Sequence, residues 1–364
     1  MYREAFSGFG SHMPGKLKGE DILVEEQKEA SQLYTKGYFG IPQSGGSLKL
    51  DLLEAIYLTE AGKLKVYKSG ALQNQDRLFR LGNRLNANFD VNYIVFRDLR
   101  QRGYVVKKGT PPLTFRVLPR GGIPNKNPSK YWILAISERG EFDITVLVSI
   151  VEKVKDMKKE LLLAVVDEEG DITYYRTKIV IPQGQVKSDA KGTVAEALLL
   201  RDRVLVLDDC EAQVLHRIEF FGKLVGSTLH LSLLETAFLM DRGLIKVRSA
   251  GTGKFITVKT LKNMARKAQP DFDLRLQIYA DLKQKGILVK TGFKYGSHFR
   301  AYTGDPETNH AKYLVHSIPE NYVGMWAEIS RAVRLAHGVK KEILLGRQTG
   351  ERKAQYLRLR RVRP

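Results

Sequence analysis

The sequence predicts a mixed α/β (α+β) protein of two similar halves, each a small α+β amino-terminal lobe followed by a second lobe whose mixed sheet is flanked by helices. Three observations carry this prediction. At 364 residues the chain is long enough for two or three domains of roughly 100 to 200 residues. Its 43% apolar and 9% aromatic content is ample for folded cores and too rich for a disordered basic chain. The same landmarks also recur twice along the chain at an offset of 181 to 184 residues, which is the signature of an internal repeat.

Residues 1–20 are rich in Gly and Ser and hold no apolar run of signal-peptide type, so they read as an amino-terminal extension. Residues 21–68 form the first lobe of copy 1. There Leu52-Leu53-Glu54-Ala55 opens an apolar helix, Gly62 closes it, and Lys65-Val66 starts a strand. A break over 68–75 separates this lobe from the second, at 76–183. The polar, lysine-bearing stretch 184–196 reads as a linker between the copies. Copy 2 then has its first lobe at 197–270, where Leu233-Leu234-Glu235-Thr236 and Gly243 repeat the earlier pattern, and its second lobe at 271–364. Asp98-Leu99-Arg100-Gln101-Arg102-Gly103 matches Asp281-Leu282-Lys283-Gln284-Lys285-Gly286, and Phe115-Arg116 matches Phe299-Arg300. Periodicity in the last lobe predicts a helix over 272–286, strands over 287–290, 298–302 and 311–318, a helix over 322–338 and a strand over 342–346. Trp326, Ile329, Val333 and Ala336 form the apolar stripe of that helix. The chain alone leaves open whether the first lobe of copy 1 packs on copy 1 or on copy 2.

Sixty Lys+Arg against 40 Asp+Glu leave a net charge of +20, which points to an anionic partner. The single cysteine, Cys210, excludes an intrachain disulfide framework and any multi-cysteine metal site, and favours a reducing compartment. No run of about 18 apolar residues is present, so no membrane span is expected. No cofactor is expected, and no convincing His/Asp/Glu ligand cluster is present.

Where the copies differ, copy 2 carries the chemistry. Tyr302 closes the strand Phe299-Arg300-Ala301-Tyr302, and His310 is read as opening the next strand, with the turn-forming Gly304-Asp305-Pro306 between them. Copy 1 has Leu118 and Pro128 at these places, although the neighbouring Phe-Arg and Lys-Tyr pairs persist. Lys341 follows the long helix, and its counterpart Lys159 remains in copy 1. A phenol, an imidazole and an ammonium suit metal-free RNA cleavage: a 2′-hydroxyl loses its proton, attacks the adjacent phosphorus, and the departing 5′-oxygen gains a proton. A phenol ionises near pH 10 in water, so it serves as a base only where cations such as Lys341 or Arg300 favour the phenolate. The ordinary role of each residue taken alone is packing, or for the lysine complementing a helix end.

Residues 350–364 hold six Lys/Arg and one Glu, and their alternation sets Arg358 and Arg360 on one strand face. Guanidinium planes stack on unpaired bases and pair with phosphates, whereas a charged strand edge also guards against aggregation. Copy 1 continues past Lys159 into an acidic turn, Asp167-Glu168-Glu169-Gly170-Asp171, where copy 2 has Gly346-Arg347-Gln348-Thr349-Gly350.

The stretch Gly292 to Leu345, with GFKYGSHFRAYTGDPETNHAKYLVH and RAVRLAHGVKKEILL, resembles the catalytic domain of archaeal tRNA-splicing endonucleases, and the likeness extends over both copies, about 30–364. The resemblance implies a nuclease-like second lobe in each copy, one structural and one catalytic. It implies an endoribonuclease that excises introns from precursor tRNA at a bulge-helix-bulge, leaving 2′,3′-cyclic phosphate and 5′-hydroxyl ends, with Tyr302 as base, His310 as acid, Lys341 as transition-state stabiliser and no metal. It also implies two arginines clamping a bulged base, Arg334 and one of Arg358 or Arg360, and Arg300 is counted with them as an RNA-binding candidate. An acidic loop docking on a catalytic unit is implied as well, hence a homodimer with Asp167, Glu168, Glu169 and Asp171 at the interface, in an archaeal cytoplasm. The competing readings are a non-catalytic RNA-binding or tRNA-assembly protein and a metal-dependent DNA nuclease. The latter needs acidic ligands, and the hairpin loop offers only Asp305 and Glu307, which read as turn residues.

Overall fold

The computed structural model describes residues 12–186, 194–350 and 353–364. They form two compact units: unit 1 holds the chain up to Gly140 with Lys153–Tyr175 and Val362–Pro364, and unit 2 holds Glu141–Glu152 and Arg176–Arg361. No helix among the described residues is long and apolar enough to cross a membrane.

The first lobe of unit 1 is a six-stranded sheet in the order Ile41–Pro42, Leu48–Leu50, Asp21–Val24, Met13–Lys18, Leu64–Lys68, Ala71–Gln73. Met13–Lys18 is an interior strand, antiparallel to Asp21–Val24 and parallel to Leu64–Lys68, with Gly15 opposite Val66. The extension expected over 1–20 is therefore too long: from Met13 onward the chain is core, and residues 1–11 lie outside the described residues. The break expected over 68–75 is also corrected. Lys68 pairs with Ala71 in a hairpin, and Asn74 then caps a helix, Gln75–Leu85, that buries Leu78. The lobes meet instead at Asn86–Asn88, as Gln269–Asp271 separates them in copy 2. One apolar core runs from Ile22 and Val66 through Phe96 to Ile133 and Ala164, so the first lobe of copy 1 packs on its own second lobe.

Unit 2 repeats this plan. Its first lobe has the strand order Lys223–Val225, Thr228–Ser232, Arg203–Val206, Ala195–Leu199, Ile245–Ser249. Its second lobe orders Leu288–Thr291, Phe299–Tyr302, Tyr313–Ile318, Glu342–Thr349 and Lys353–Val362, with only the third and fourth parallel. The helix Trp326–Gly338 buries the expected stripe Trp326, Ile329, Val333 and Ala336. The segment expected as a linker over 184–196 is only partly described, since 187–193 lie outside the described residues.

The duplication persists at the level of single hydrogen bonds. Glu54 Oε1 accepts from Gly40 N (2.9 Å) and Glu235 Oε1 from Gly222 N (3.0 Å), each glutamate also completing the capping box of its own helix. Lys107 Nζ donates to the Gly40 carbonyl and Lys290 Nζ to the Gly222 carbonyl. Arg100 reaches the Gly37 carbonyl (2.8 Å), and Lys283 the Glu219 carbonyl (3.2 Å). Tyr174 Oη donates to Asp98 (2.6 Å) and Tyr356 Oη to Asp281 (2.5 Å), and burial, followed by the adjacent aspartate, pushes both phenols up from the ordinary tyrosine value. The repeated Asp-Leu-(Arg/Lys)-Gln-(Arg/Lys)-Gly motif is thus architectural. Its aspartate anchors the returning strand, its leucine is core, its first cation ties second lobe to first, and its glycine takes a left-handed φ of +84° or +71° that turns the chain into the next strand.

Glu141–Asp143 and Val323–Met325 are equivalent segments of the two copies, each leading into the long helix of its copy. Glu141–Asp143 pairs antiparallel with Val323–Met325, and Phe142 meets Trp326 edge-on at 4.9 Å, so these copy 1 residues belong to unit 2.

Candidate active site

Register brings the candidate residues of copy 2 to one end of three neighbouring strands. Ala301 lies opposite Tyr313, and Lys312 N donates to the Ala301 carbonyl (2.9 Å), which sets Tyr302 at the closing end of its strand beside Lys312. Tyr313 is in parallel register with Glu342, whose N–H donates to the Lys312 carbonyl (3.1 Å), so Lys341 also falls beside Lys312. His310 is exposed two residues before Lys312. The expectation that it opens the strand is corrected, because pairing begins only at Tyr313. The intervening Ala311 is buried in a small apolar cluster with Leu288 and Tyr302. Asp305 is a turn residue as expected: its carboxylate accepts from Glu307 N (2.8 Å), and its carbonyl accepts from Asn309 N (2.8 Å).

Each candidate side chain has a distinct setting. Tyr302 is only 8% exposed, with the Arg300 guanidinium 5.8 Å from its ring centroid. The turn before Lys341 is made by Lys340, whose φ of +57° matches the +54° of Lys158 in copy 1. The amide of the following lysine closes the helix in both copies, to Ala336 (2.8 Å) and to Val154 (3.1 Å), so the lysine position is inherited from the fold. The Lys341 ammonium donates to the Val339 carbonyl (3.1 Å) and lies 5.3 Å from the Tyr295 ring centroid. Tyr295 ends a tight turn, Phe293–Tyr295, in GFKYGSH, whereas the corresponding stretch of copy 1 is GTPPLT, without an aromatic residue.

Arg334 is exposed on the helix preceding Lys341. Arg358 and Arg360 do share a strand face, and both turn to Glu342: Arg358 Nη1 is 3.6 Å from Oε2 and Arg360 Nε is 3.5 Å from Oε1. Arg358 is 25% and Arg360 59% exposed, so Arg360 offers more of its guanidinium to solvent. In unit 1, the Asp167 carboxylate accepts from the Glu169 and Asp171 amides (3.1 and 2.8 Å) and staples its own loop. Glu168 accepts from Arg139 Nε (2.7 Å), while Glu169 and Asp171 are exposed. At the copy 1 hairpin Leu118 is buried and Pro128 exposed, and neither can carry a proton.

Reading the sequence passed over Tyr295 and Glu342. The contrast of GFKYGSH with GTPPLT was the available signal for the first. For the second it was a lone carboxylate beside Lys341 opposite alternating arginines.

The geometry defines a class: a basic protein of two copies of one two-lobed unit, of which one copy has a tyrosine and a histidine at the hairpin where the other has Leu118 and Pro128, while both keep the lysine after the long helix. Comparison of sequences makes the class specific. The family described as tRNA intron endonuclease, N-terminal domain, matches residues 13–79 and 195–262, and its catalytic C-terminal domain matches 89–174 and 272–356. The chain therefore belongs to the tRNA intron endonuclease family. A protein named tRNA-splicing endonuclease from Methanococcoides burtonii is 37% identical over 330 residues, 89% of this chain and 93% of its own. One of the same name from Methanosarcina mazei is 36% identical over 352 residues, 96% of this chain and 98% of its own. A third, from Halobacterium salinarum, is 30% identical over 354 residues, 91% of this chain and 94% of its own.

Proposed function

We propose that this protein is a metal-independent endoribonuclease that excises introns from precursor tRNA at bulge-helix-bulge junctions, acting in the cytoplasm as a homodimer. In this reading Tyr302, as the phenolate, takes the proton of the 2′-hydroxyl. The 2′-oxygen bonds to the adjacent phosphorus, the bond from phosphorus to the 5′-oxygen breaks, and His310, as the imidazolium, protonates that oxygen. Lys341 stabilises the extra negative charge of the pentavalent state. Atoms and charges balance with a 2′,3′-cyclic phosphate and a 5′-hydroxyl as products and no oxidant, reductant or water consumed, which is lyase chemistry.

The observation that carries the reading is the register that sets Tyr302 and Lys341 on either side of Lys312, with His310 close by in sequence, set against Leu118 and Pro128 in a copy that keeps its lysine. Arg334, together with Arg358 or Arg360, would grip an unpaired base, and Arg300 would be a further contact to the RNA. The dimer reading rests on the stapled acidic loop: with Asp167 holding its shape, Glu169 and Asp171 face outward and, with Glu168, would meet a basic surface of the partner subunit.

The test is incubation of intron-containing precursor tRNA with wild type and Tyr302→Phe, with analysis of fragment ends. Excision to cyclic phosphate ends by wild type alone supports the reading. Binding without cleavage by wild type favours the RNA-binding alternative. Sedimentation of an active protein as a monomer would remove the homodimer.

A further inference from the structure

The segment that leaves copy 1 meets the hairpin of copy 2 at Tyr302. Within unit 2, Gly184 N donates to the Lys285 carbonyl (2.9 Å), Gln185 N to the Thr303 carbonyl (3.0 Å) and Val186 N to the Gly286 carbonyl (3.1 Å). Three consecutive amides are thus spent on the residues flanking the paired strand ends Leu288 and Tyr302. Gly184 lies so close that a Cβ there would come 2.0 Å from the Gly286 carbonyl oxygen, a contact that no side chain tolerates without moving the backbone. Val186 packs on the cluster of Leu288, Tyr302 and Ala311, and from the first lobe Phe220 joins it.

We infer that Gly184–Val186 is a strap that fixes Tyr302, with Val186 and the Gln185 amide as positioning groups for the reaction proposed above. Tyr302 is the last residue of its strand, where pairing ends and the chain enters a loop. A terminal strand residue frays unless something else holds it. Here the next residue, Thr303, is bonded through its carbonyl to Gln185, and Tyr302 belongs to a buried cluster with Leu288 and Ala311 on which Val186 and Phe220 pack. A base must stay within hydrogen-bond reach of the proton it removes, so loosening this ring costs rate before it costs binding. The inference rests on Tyr302 being catalytic. It adds that the link between the copies, apart from joining them, shapes the catalytic centre.

The contrast between Gln185→Pro and Gln185→Ala tests it. Proline deletes the amide that Thr303 uses, and alanine keeps it while removing a side chain that is exposed. With full-length protein and precursor tRNA, Gln185→Pro is expected to lower the single-turnover rate about 10-fold at saturation, with RNA Kd within about twofold of wild type and thermal midpoint within about 3 °C. Gln185→Ala should match wild type, and Val186→Ala, which keeps the backbone bonds but thins the packing, should fall between. Gln185→Pro cleaving at the wild-type rate overturns the strap. So does a loss confined to Kd, which would make the segment an RNA contact, or a loss shared equally by Gln185→Ala. Tyr302→Phe is run beside them: full activity there refutes the catalytic reading itself and is distinguishable from failure of the strap alone.

Discussion

Glu219 is the hinge of a buried charge network that holds the first lobe of copy 2 against the lobe bearing Tyr302, and its removal should be far costlier than removal of its lysine partner. Glu219 Oε2 and Lys283 Nζ are 2.7 Å apart with both side chains almost wholly buried, at 2% and 3% exposure, and Arg242 Nη1 donates to Glu219 Oε1 at 2.8 Å. At an effective dielectric constant of about 20, unit charges at this separation attract by about 6 kcal/mol before desolvation, which consumes most of that in a buried pair. Burial holds the Lys283 ammonium below the ordinary lysine value even with Glu219 beside it. Glu219→Gln therefore strands a buried cation and is expected to cost about 3 kcal/mol or more. Lys283→Met keeps an apolar stem in place and leaves Glu219 with Arg242, so about 1 kcal/mol is expected. For a unit of this size these convert to falls of about 6–12 °C and 2–4 °C in the thermal midpoint of unit 2, read by calorimetry. Equal losses in the two variants, or Lys283→Met the worse, would refute the argument that Glu219 serves two cations.

Three further outcomes follow from the same structure. His298 Nδ1 accepts from the Ser317 amide (3.0 Å), so its ring is neutral, and burial, then Arg275 and His316, lowers it to about 4, with Asp271 opposing. Because the folded value lies below the unfolded one near 6.5, the unfolded chain binds the extra proton first. Stability should be full above pH 6.5 and fall as pH drops toward 4, and a thermal scan series should show a shallower fall in His298→Asn, which offers an oxygen acceptor without a titration. Tyr295→Leu removes the ring beside the Lys341 ammonium and should lower the single-turnover rate about 3- to 10-fold, while Tyr295→Phe retains most of it; equal rates in Tyr295→Leu and wild type would discount the contact. Arg360→Ala should weaken binding of RNA with an unpaired base about 10-fold and Arg358→Ala less, measured by filter binding at fixed salt, because Arg360 is the more exposed of the two.

The architecture was legible because duplication wrote it twice. Leu52 to Gly62 and Leu233 to Gly243 each encode a capped apolar helix, and the Asp98 and Asp281 motifs each mark a helix end tied to a distant strand. The stripe of Trp326, Ile329, Val333 and Ala336 was plain because a helix with one buried face carries a 3.6-residue period. What escaped was non-local. Nothing in Met13–Lys18 distinguishes an interior strand from an extension until Leu64–Lys68 and Asp21–Val24 are placed on either side. Likewise, no local pattern predicts that Glu141–Asp143 of copy 1 pairs with Val323–Met325 of copy 2 within unit 2. At the site, sequence placed Tyr302 at the end of its strand and Lys341 at the turn before the next one, but it had His310 open a strand that starts only at Tyr313, since Ala311 and Lys312 continue the apolar alternation ahead of the regular ladder. The contacts of Tyr295, Glu342 and Val186 depend on register and chain crossing, which period and propensity do not carry.

In the proposed function one copy carries metal-free RNA cleavage chemistry on Tyr302, His310 and Lys341. Single-turnover cleavage of an intron-containing precursor tRNA in excess EDTA, by wild type and His310→Ala, tests it most directly. Wild-type excision is expected to be undiminished by the chelator, with 2′,3′-cyclic phosphate ends, and the rate of His310→Ala to be lower by about 10²- to 10⁴-fold with RNA affinity retained. Abolition of wild-type cleavage by EDTA, or a His310→Ala protein as fast as wild type, would contradict it.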